Sequence, residues 1–393
     1  MASVRWLLPL VLLAWTVGGA GCSTLDRAWP DPPFVPLIAS VESLPALTTN
    51  ALGTGRDAGN TARIDGRVIW LFGDTFIGSD ELICATAAWS DSATPTNLHE
   101  DVDASGRPYQ LYPFSADEVA FNLVHADPPA CCRLYASCPQ TDVYCRCAPG
   151  VDCASRIALW PGDVAIRRDG RAFGLYERVL AGVAPYDFTH LGAGLAVIPE
   201  RGTVARRFAD ADGVPRMLFG RDEPNFLNAV VAPVDGVPHV YAYARRLRRS
   251  CLVDVLAARA PLGSMEHRES WRFFDGNGWS RDVDAAGPIL SRVVGGLGSV
   301  AWNEYLDAYI SGNNDICTGG SRFFIRTAPR PEGPWSEPAV VDLAPLGAGP
   351  EAYAGRLHPV FGDGRRIVIS FYEPRVANDE VVGRVHLARV TFE

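Results

Sequence analysis

Lysine is absent: all 36 basic side chains among the 393 residues are arginines. That removes Schiff-base catalysis and any phosphate loop built on lysine. HExxH metal spacing, a GxSxG nucleophile elbow and a Rossmann glycine pattern are missing as well. Positive charge is short overall, with a formal net charge of −9, which argues against nucleic acid as a partner, because phosphate binding wants a basic surface. Charged residues make up 21% of the chain, enough order-compatible composition to argue against wholesale disorder. What the chain does have is 48% hydrophobic residues, 38 glycines and 30 prolines. That is material for a large core reached through many short strands and turns.

The first 22 residues read as a targeting segment. Arg5 supplies a positive start, and the apolar stretch from Trp6 to Val17 is too short to span a membrane. Gly19-Ala20-Gly21-Cys22 resembles a bacterial lipoprotein cleavage site, with Cys22 as the acylated residue. Gly19 stands where such sites usually carry leucine, so ordinary secretion is the alternative. Either way the protein is expected to be exported, touching a membrane only through an N-terminal lipid anchor. Export permits disulfides. Six of the ten cysteines, at 131, 132, 138, 145, 147 and 153, crowd one run that contains no histidine. Bridges are expected there rather than zinc, with pairing unreadable from sequence. Cys251 with Cys317 is a candidate bridge between neighbouring repeats.

Those repeats are hairpins. Asp65-Gly66 lies between two apolar runs and suits a two-residue loop, whose central positions both need positive φ. Comparable hairpins turn at Asp169-Gly170, Asp235-Gly236, Asn303-Glu304 and Asp363-Gly364. Third strands follow several of them, with related tails in VLAARAPLGSMEHRESWRFF and FFIRTAPRPEGPWSEP. Self-similarity at such a period points to an all-β, five-bladed β-propeller. Continuous apolar runs such as Val68 to Phe72 agree, because a blade is covered on both faces. The expected layout is a signal peptide at 1–22, a linker at 23–44 and a propeller at 45–393. A disulfide-rich insertion, about 126–156, separates the first and second blades.

Counting outward from Asp65-Gly66 pairs Thr61 with Trp70, Gly59 with Phe72 and Asp57 with Asp74. Like charges directly opposite each other destabilise a sheet. In the second blade Pro161 and Arg178 take their places, so blade architecture does not demand the pair. Carboxyl groups sharing a partly dry site separate their pKa values, giving an acid and a base suited to glycosidic bond cleavage. In a propeller the innermost strands converge on one channel, which makes Asp57 and Asp74 candidate catalytic residues. Arg56, Trp160, Asp163, Asn225 and His358 are candidate substrate contacts.

The segment Arg56-Asp57-x-Gly59 followed by Trp70-Leu-Phe-Gly-Asp74-Thr-Phe76 resembles the start of a bacterial propeller family. That family was long catalogued as a domain of unknown function and includes endo-D-arabinofuranases. Tyr353-Ala-Gly-Arg-Leu-His358-Pro359 resembles its last-blade motif, adding Tyr353 to the candidate contacts. The resemblance covers roughly residues 45–393. It implies that Asp57 and Asp74 match catalytic aspartates and that the substrate is a polysaccharide, with D-arabinan as one candidate. Other five-bladed glycosidases act on L-arabinan, xylan or fructan, so glycoside hydrolysis is the broader expectation. The alternative is a non-catalytic propeller that binds carbohydrate or protein. No cofactor or metal is expected for catalysis; in the binding alternative the aspartates would suit a channel calcium, which takes oxygen ligands.

Overall fold

Asp65 and Gly66 adopt φ of 47° and 77° and close a two-residue loop between strands Gly55–Ile64 and Arg67–Ile77. Asp235 and Gly236 do the same, at 48° and 79°, between Asn228–Val234 and Val237–Leu247. The other three hairpins have longer loops than the dipeptides predict. Blade 5 shows why: Pro359 follows the inner strand at once and opens a 3-10 turn, Pro359–Phe361. These hairpins belong to a computed structural model that describes residues 33–393, apart from 54, 78–80, 92–94, 126–145, 149–150, 153–154, 183–187, 249–251, 315–318, 375, 378–379 and 382.

Five antiparallel sheets of four or more strands follow one another. Blade 1 runs Gly55–Ile64, Arg67–Ile77, Thr86–Asp91, with the short Glu81–Ile83 beside it. Blade 2 runs Arg156–Ile166, Ala172–Ala181, Phe188–Ile198, and blade 3 Asn228–Val234, Val237–Leu247, Leu252–Pro261. Blade 4 runs Ser299–Asn303, Ala308–Asn314, Arg322–Ala328, and blade 5 Tyr353–His358, Arg366–Glu373, Arg384–Phe392. The innermost strands touch in a closed ring, each meeting the one before and the one after, with blade 5 back against blade 1. The fold is a five-bladed β-propeller.

The ring is closed by the chain's first described strand. Ile38–Ser43 pairs with Arg384–Phe392 and completes blade 5. It lies inside the stretch read from sequence as linker, so the propeller begins earlier than residue 45. An unpaired edge exposes backbone donors and acceptors, and this strand covers the one left by the last three.

Five apolar clusters fill the five gaps between neighbouring blades. The run Val68–Phe72 shows how. Ile69 and Leu71 pack towards blade 2 with Leu159 and Tyr176. Val68, Trp70 and Phe72 pack towards blade 5 with Val368 and Leu387. Alternation survives in three dimensions, but both faces are dry. Each such fully buried side chain contributes about 1.5–3 kcal/mol.

Among the described residues one α-helix, Ala116–His125, precedes the insertion in sequence. Ser115 and Glu118 form its capping box, the Ser115 N–H donating to Glu118 at 2.9 Å. Glu118 is then clamped by Arg207 at 2.6 Å and 3.0 Å, which ties the helix to blade 2. That short helix has no counterpart in the sequence reading. The expected disulfides fall outside the described side chains, as do Cys22, Cys251 and Cys317. Cys84 is a buried free thiol.

Candidate active site in the central channel

The blade 1 ladder starts as the turn count demands, with Thr61 opposite Trp70. It then slips twice. Phe72 faces Ala58 rather than Gly59, so Gly59 is an extra residue on the inner strand. Next, Gly73 and Asp74 together oppose Asp57, and the original register resumes at Arg56 with Thr75. Gly59 has φ of 141°, which a residue with a Cβ rarely adopts. Bulges re-aim side chains. Here they place the two aspartates side by side across a distorted stretch instead of in a flat cross-strand pair.

Their surroundings differ. Asp57 Oδ2 accepts the Tyr353 phenol at 3.0 Å, and the Asp74 backbone N–H donates to the same carboxyl group. Burial and the charge of Asp74 outweigh those bonds and the more distant Arg356, and raise Asp57 to about 7. Asp74 is gripped by charge: Arg156 Nη2 donates to Oδ2 at 2.7 Å and the Trp160 indole N–H to Oδ1 at 3.0 Å. Burial raises Asp74 too, against the opposing pull of Arg156 and Trp160. One carboxyl has neutral donors and the other an arginine, so the proton belongs on Asp57 and the charge on Asp74.

Further charges line the same space. Asp163, on the inner strand of blade 2, accepts the Ala229 N–H at 2.8 Å and is raised by burial to about 6, opposed by Arg356. Glu177 Oε1 accepts from Asn225 Nδ2 at 2.9 Å and lies 2.9 Å from His190 Nδ1. Arg245 feels the charge of Glu177, and Arg356 that of Arg245, Asp163 and Asp57. These electrostatic neighbours link residues of blades 1, 2, 3 and 5.

The structure thus brings Asp57, Asp74, Trp160, Asp163 and Tyr353 together, with Asn225 joined through Glu177. Two candidates are elsewhere. Arg56, next to Asp57 on an extended strand, turns to the other side, where it pairs with buried Glu100 at 2.7 Å and lies over Phe72. His358 is fully buried; its ring nitrogens meet Thr61 at 2.9 Å and Ser370 at 2.7 Å, and its ring packs on Trp70. Burial and Arg356 hold it down to about 3, a neutral core histidine. The sequence reading did not single out Arg156, Glu177, His190, Arg245 and Arg356. Only Arg356 carried a signal, inside the last-blade motif; Arg156 opens an inner strand, and Glu177, His190 and Arg245 lie on second and third strands. Among the described residues no three His, Cys, Asp or Glu side chains form a cluster able to hold a metal.

The description of a domain of unknown function, DUF4185, matches residues 202–374, less than half of the chain. That span includes Tyr353 but neither Asp57 nor Asp74. No curated protein matches the sequence. Among solved structures, a family 117 glycoside hydrolase of Zobellia galactanivorans is 12% identical, with 90% of this chain and 91% of that one covered and a TM-score of 0.48. A GH43_1 enzyme of Xanthomonas citri complexed with xylotriose is 12% identical, covering 88% and 89%, at 0.46. An endo-1,5-alpha-L-arabinanase of Thermotoga petrophila is 11% identical, covering 89% and 75%, at 0.43.

Proposed function

We propose that the channel is a glycosidase site in which Asp57 is the general acid and Asp74 its ionised partner. The observation that carries this is the unlike environment of two adjacent carboxyls, one bonded by a phenol and a backbone N–H, the other paired with Arg156. Asp57 gives its proton to the glycosidic oxygen as the bond to the anomeric carbon breaks. Asp74 either attacks that carbon or takes a proton from the attacking water, the two routes open to such a pair. Water supplies the hydroxyl of the new reducing end, and its remaining proton restores the acid. Trp160 and Tyr353 hold the carboxyls in place through hydrogen bonds and border the space a sugar ring would occupy.

The substrate is a polysaccharide, and D-arabinan leads the panel because of the sequence resemblance at Trp70 to Phe76. We infer export from the first 22 residues, with Cys22 as the anchor point. The test is hydrolysis of D-arabinan, L-arabinan, xylan and levan, together with glycans bearing uronic acid or phosphate, by purified protein beside Asp57→Asn and Asp74→Asn. Cleavage of one polymer, abolished by both substitutions in folded protein, supports the reading. No cleavage, or cleavage that survives either substitution, overturns it. The mass of the mature N-terminus, with Cys22→Ser as control, tests the anchor.

A further inference from the structure

Acids and bases of the channel differ in how they are satisfied. Every carboxylate there is already engaged: Asp57 by Tyr353 and a backbone N–H, Asp74 by Arg156 and Trp160, Asp163 by the Ala229 N–H, and Glu177 by Asn225 and His190. Two guanidinium groups are not. Among the described residues neither Arg245 nor Arg356 has a carboxylate within ion-pair distance. Arg356 makes one long bond, from Nη1 to the Gly355 carbonyl at 3.3 Å, and its buried Nε has no partner.

Both arginines are held by the fold. The stem of Arg245 passes over Gly296, where a Cβ would come within 3.2 Å of its Cδ. Arg356 follows Gly355, whose N–H donates to Asn314 at 2.7 Å and whose Cα lies too close to that residue for a side chain. Arg245 is open to solvent, whereas Arg356 is half-buried, and burial followed by the charge of Arg245 lowers the Arg356 pKa. A guanidinium whose buried Nε has no partner is left unsatisfied unless a ligand answers it, and Arg245 adds a second positive charge in its neighbourhood. Guanidinium groups suit carboxylate and phosphate through paired N–H donors.

We propose that Arg245 and Arg356 form an anion subsite in the channel, which takes a carboxylate or phosphate group carried by the sugar chain. The substrate class is therefore an acidic glycan, bearing uronic acid or phosphorylated units near the cleaved bond. This rests on the glycosidase reading. Beyond Arg245 lies a cavity of about 280 Å³ in which Asp222, Glu223 and Asp284 outnumber Arg245 and Arg246. Those acids disfavour a second anion there, so the charged group belongs on the Arg356 side and a neutral ring beyond it.

The experiment is calorimetric binding of a ring-matched set, glucose, glucuronate and glucose 6-phosphate, to the Asp57→Asn protein. Without turnover, its outcome does not depend on whether the channel cleaves anything. The expected result is at least about tenfold tighter binding of one anion than of glucose, a gap of about 1.4 kcal/mol. The better anion tells carboxylate from phosphate. Adding Arg245→Gln, at a solvent-open position, or Arg356→Gln should erase the preference, with melting curves confirming folded protein. Equal binding of all three, failure of both anions to bind, or a preference that survives Arg245→Gln in folded protein overturns the subsite.

Discussion

Blades 1, 2 and 5 differ from blades 3 and 4 where the strands meet the channel. The inner hairpins of blades 3 and 4 pair in unbroken register, Asn228–Val234 against Tyr243 to Val237 and Ser299–Asn303 against Gly312 to Ala308. The inner hairpins of blades 1, 2 and 5 all slip, between Arg56 and Asn60, between Pro161 and Val164, and between Tyr353 and Arg356. Asp57, Asp74, Asp163, Tyr353 and Arg356 sit at or beside those slips. Regular pairing satisfies the backbone and alternates side chains into blade interfaces. A slip leaves a residue out of the ladder and turns its side chain into the channel. The irregular blades carry the channel carboxyls, while the regular ones are mainly scaffold, with Arg245 of blade 3 as the exception.

The largest effect that sharpens this contrast is on turnover. Asp57→Asn should lower kcat by about 10²–10⁴-fold, the usual worth of a general acid, while its melting temperature does not fall. A variant that keeps near-full activity would end the assignment.

Arg56→Met tests the neighbouring residue that faces away from the channel. Leaving Glu100 buried without its partner should cost about 3–5 kcal/mol in denaturant unfolding. Molecules that remain folded should keep their kcat, which a substrate contact would not.

Gly59→Ala attacks the slip itself. The residue has ordinary space around it, with Trp70 at 3.6 Å, so its cost is backbone strain at φ 141°, about 1–3 kcal/mol. Gly66→Ala, in the turn at the far end of the same hairpin with φ of 77°, should be strained as well. Only the first should lower kcat; equal activity in the two would disconnect the bulge from the site.

The smallest effect is in stability against pH. Folding raises Asp57 from its ordinary 3.8 to about 7, so the folded state holds that proton more tightly. The contribution is fully present below the ordinary value and is lost as pH rises through about 7. Asp57→Asn should therefore raise the melting temperature at pH 7.5 by roughly 1–3 °C, and by less at pH 4.5. A uniform shift across that range would mean that Asp57 does not carry the raised pKa. In the same window, activity should decline as pH climbs past about 7 and the acid loses its proton.

Much of this was legible from residue order. The Asp-Gly turns, the apolar runs dry on both faces and the recurrence of hairpins pointed to five blades, because turn chemistry and burial period are local properties. Asp57 and Asp74 were found by counting from one such turn. The count itself failed only between Asp57 and Gly59, since a bulge trades one local hydrogen bond for another and leaves little mark beyond a glycine. The helix after Ser115 was missed because it is short and borrows its stability from Arg207.

Sequence alone therefore determined what depends on neighbours along the chain: the hairpin turns, the strand periodicity and the absence of lysine from any site. Tertiary structure decided which polar groups meet. Arg156 reaches Asp74 from another blade, Tyr353 reaches Asp57 across 296 residues of sequence, and His358, read from sequence as a substrate contact, is sealed behind Trp70. The physical reason is that a closed ring converts sequence distance into contact, and burial, which sets the charge of each group, exists only once the ring has closed.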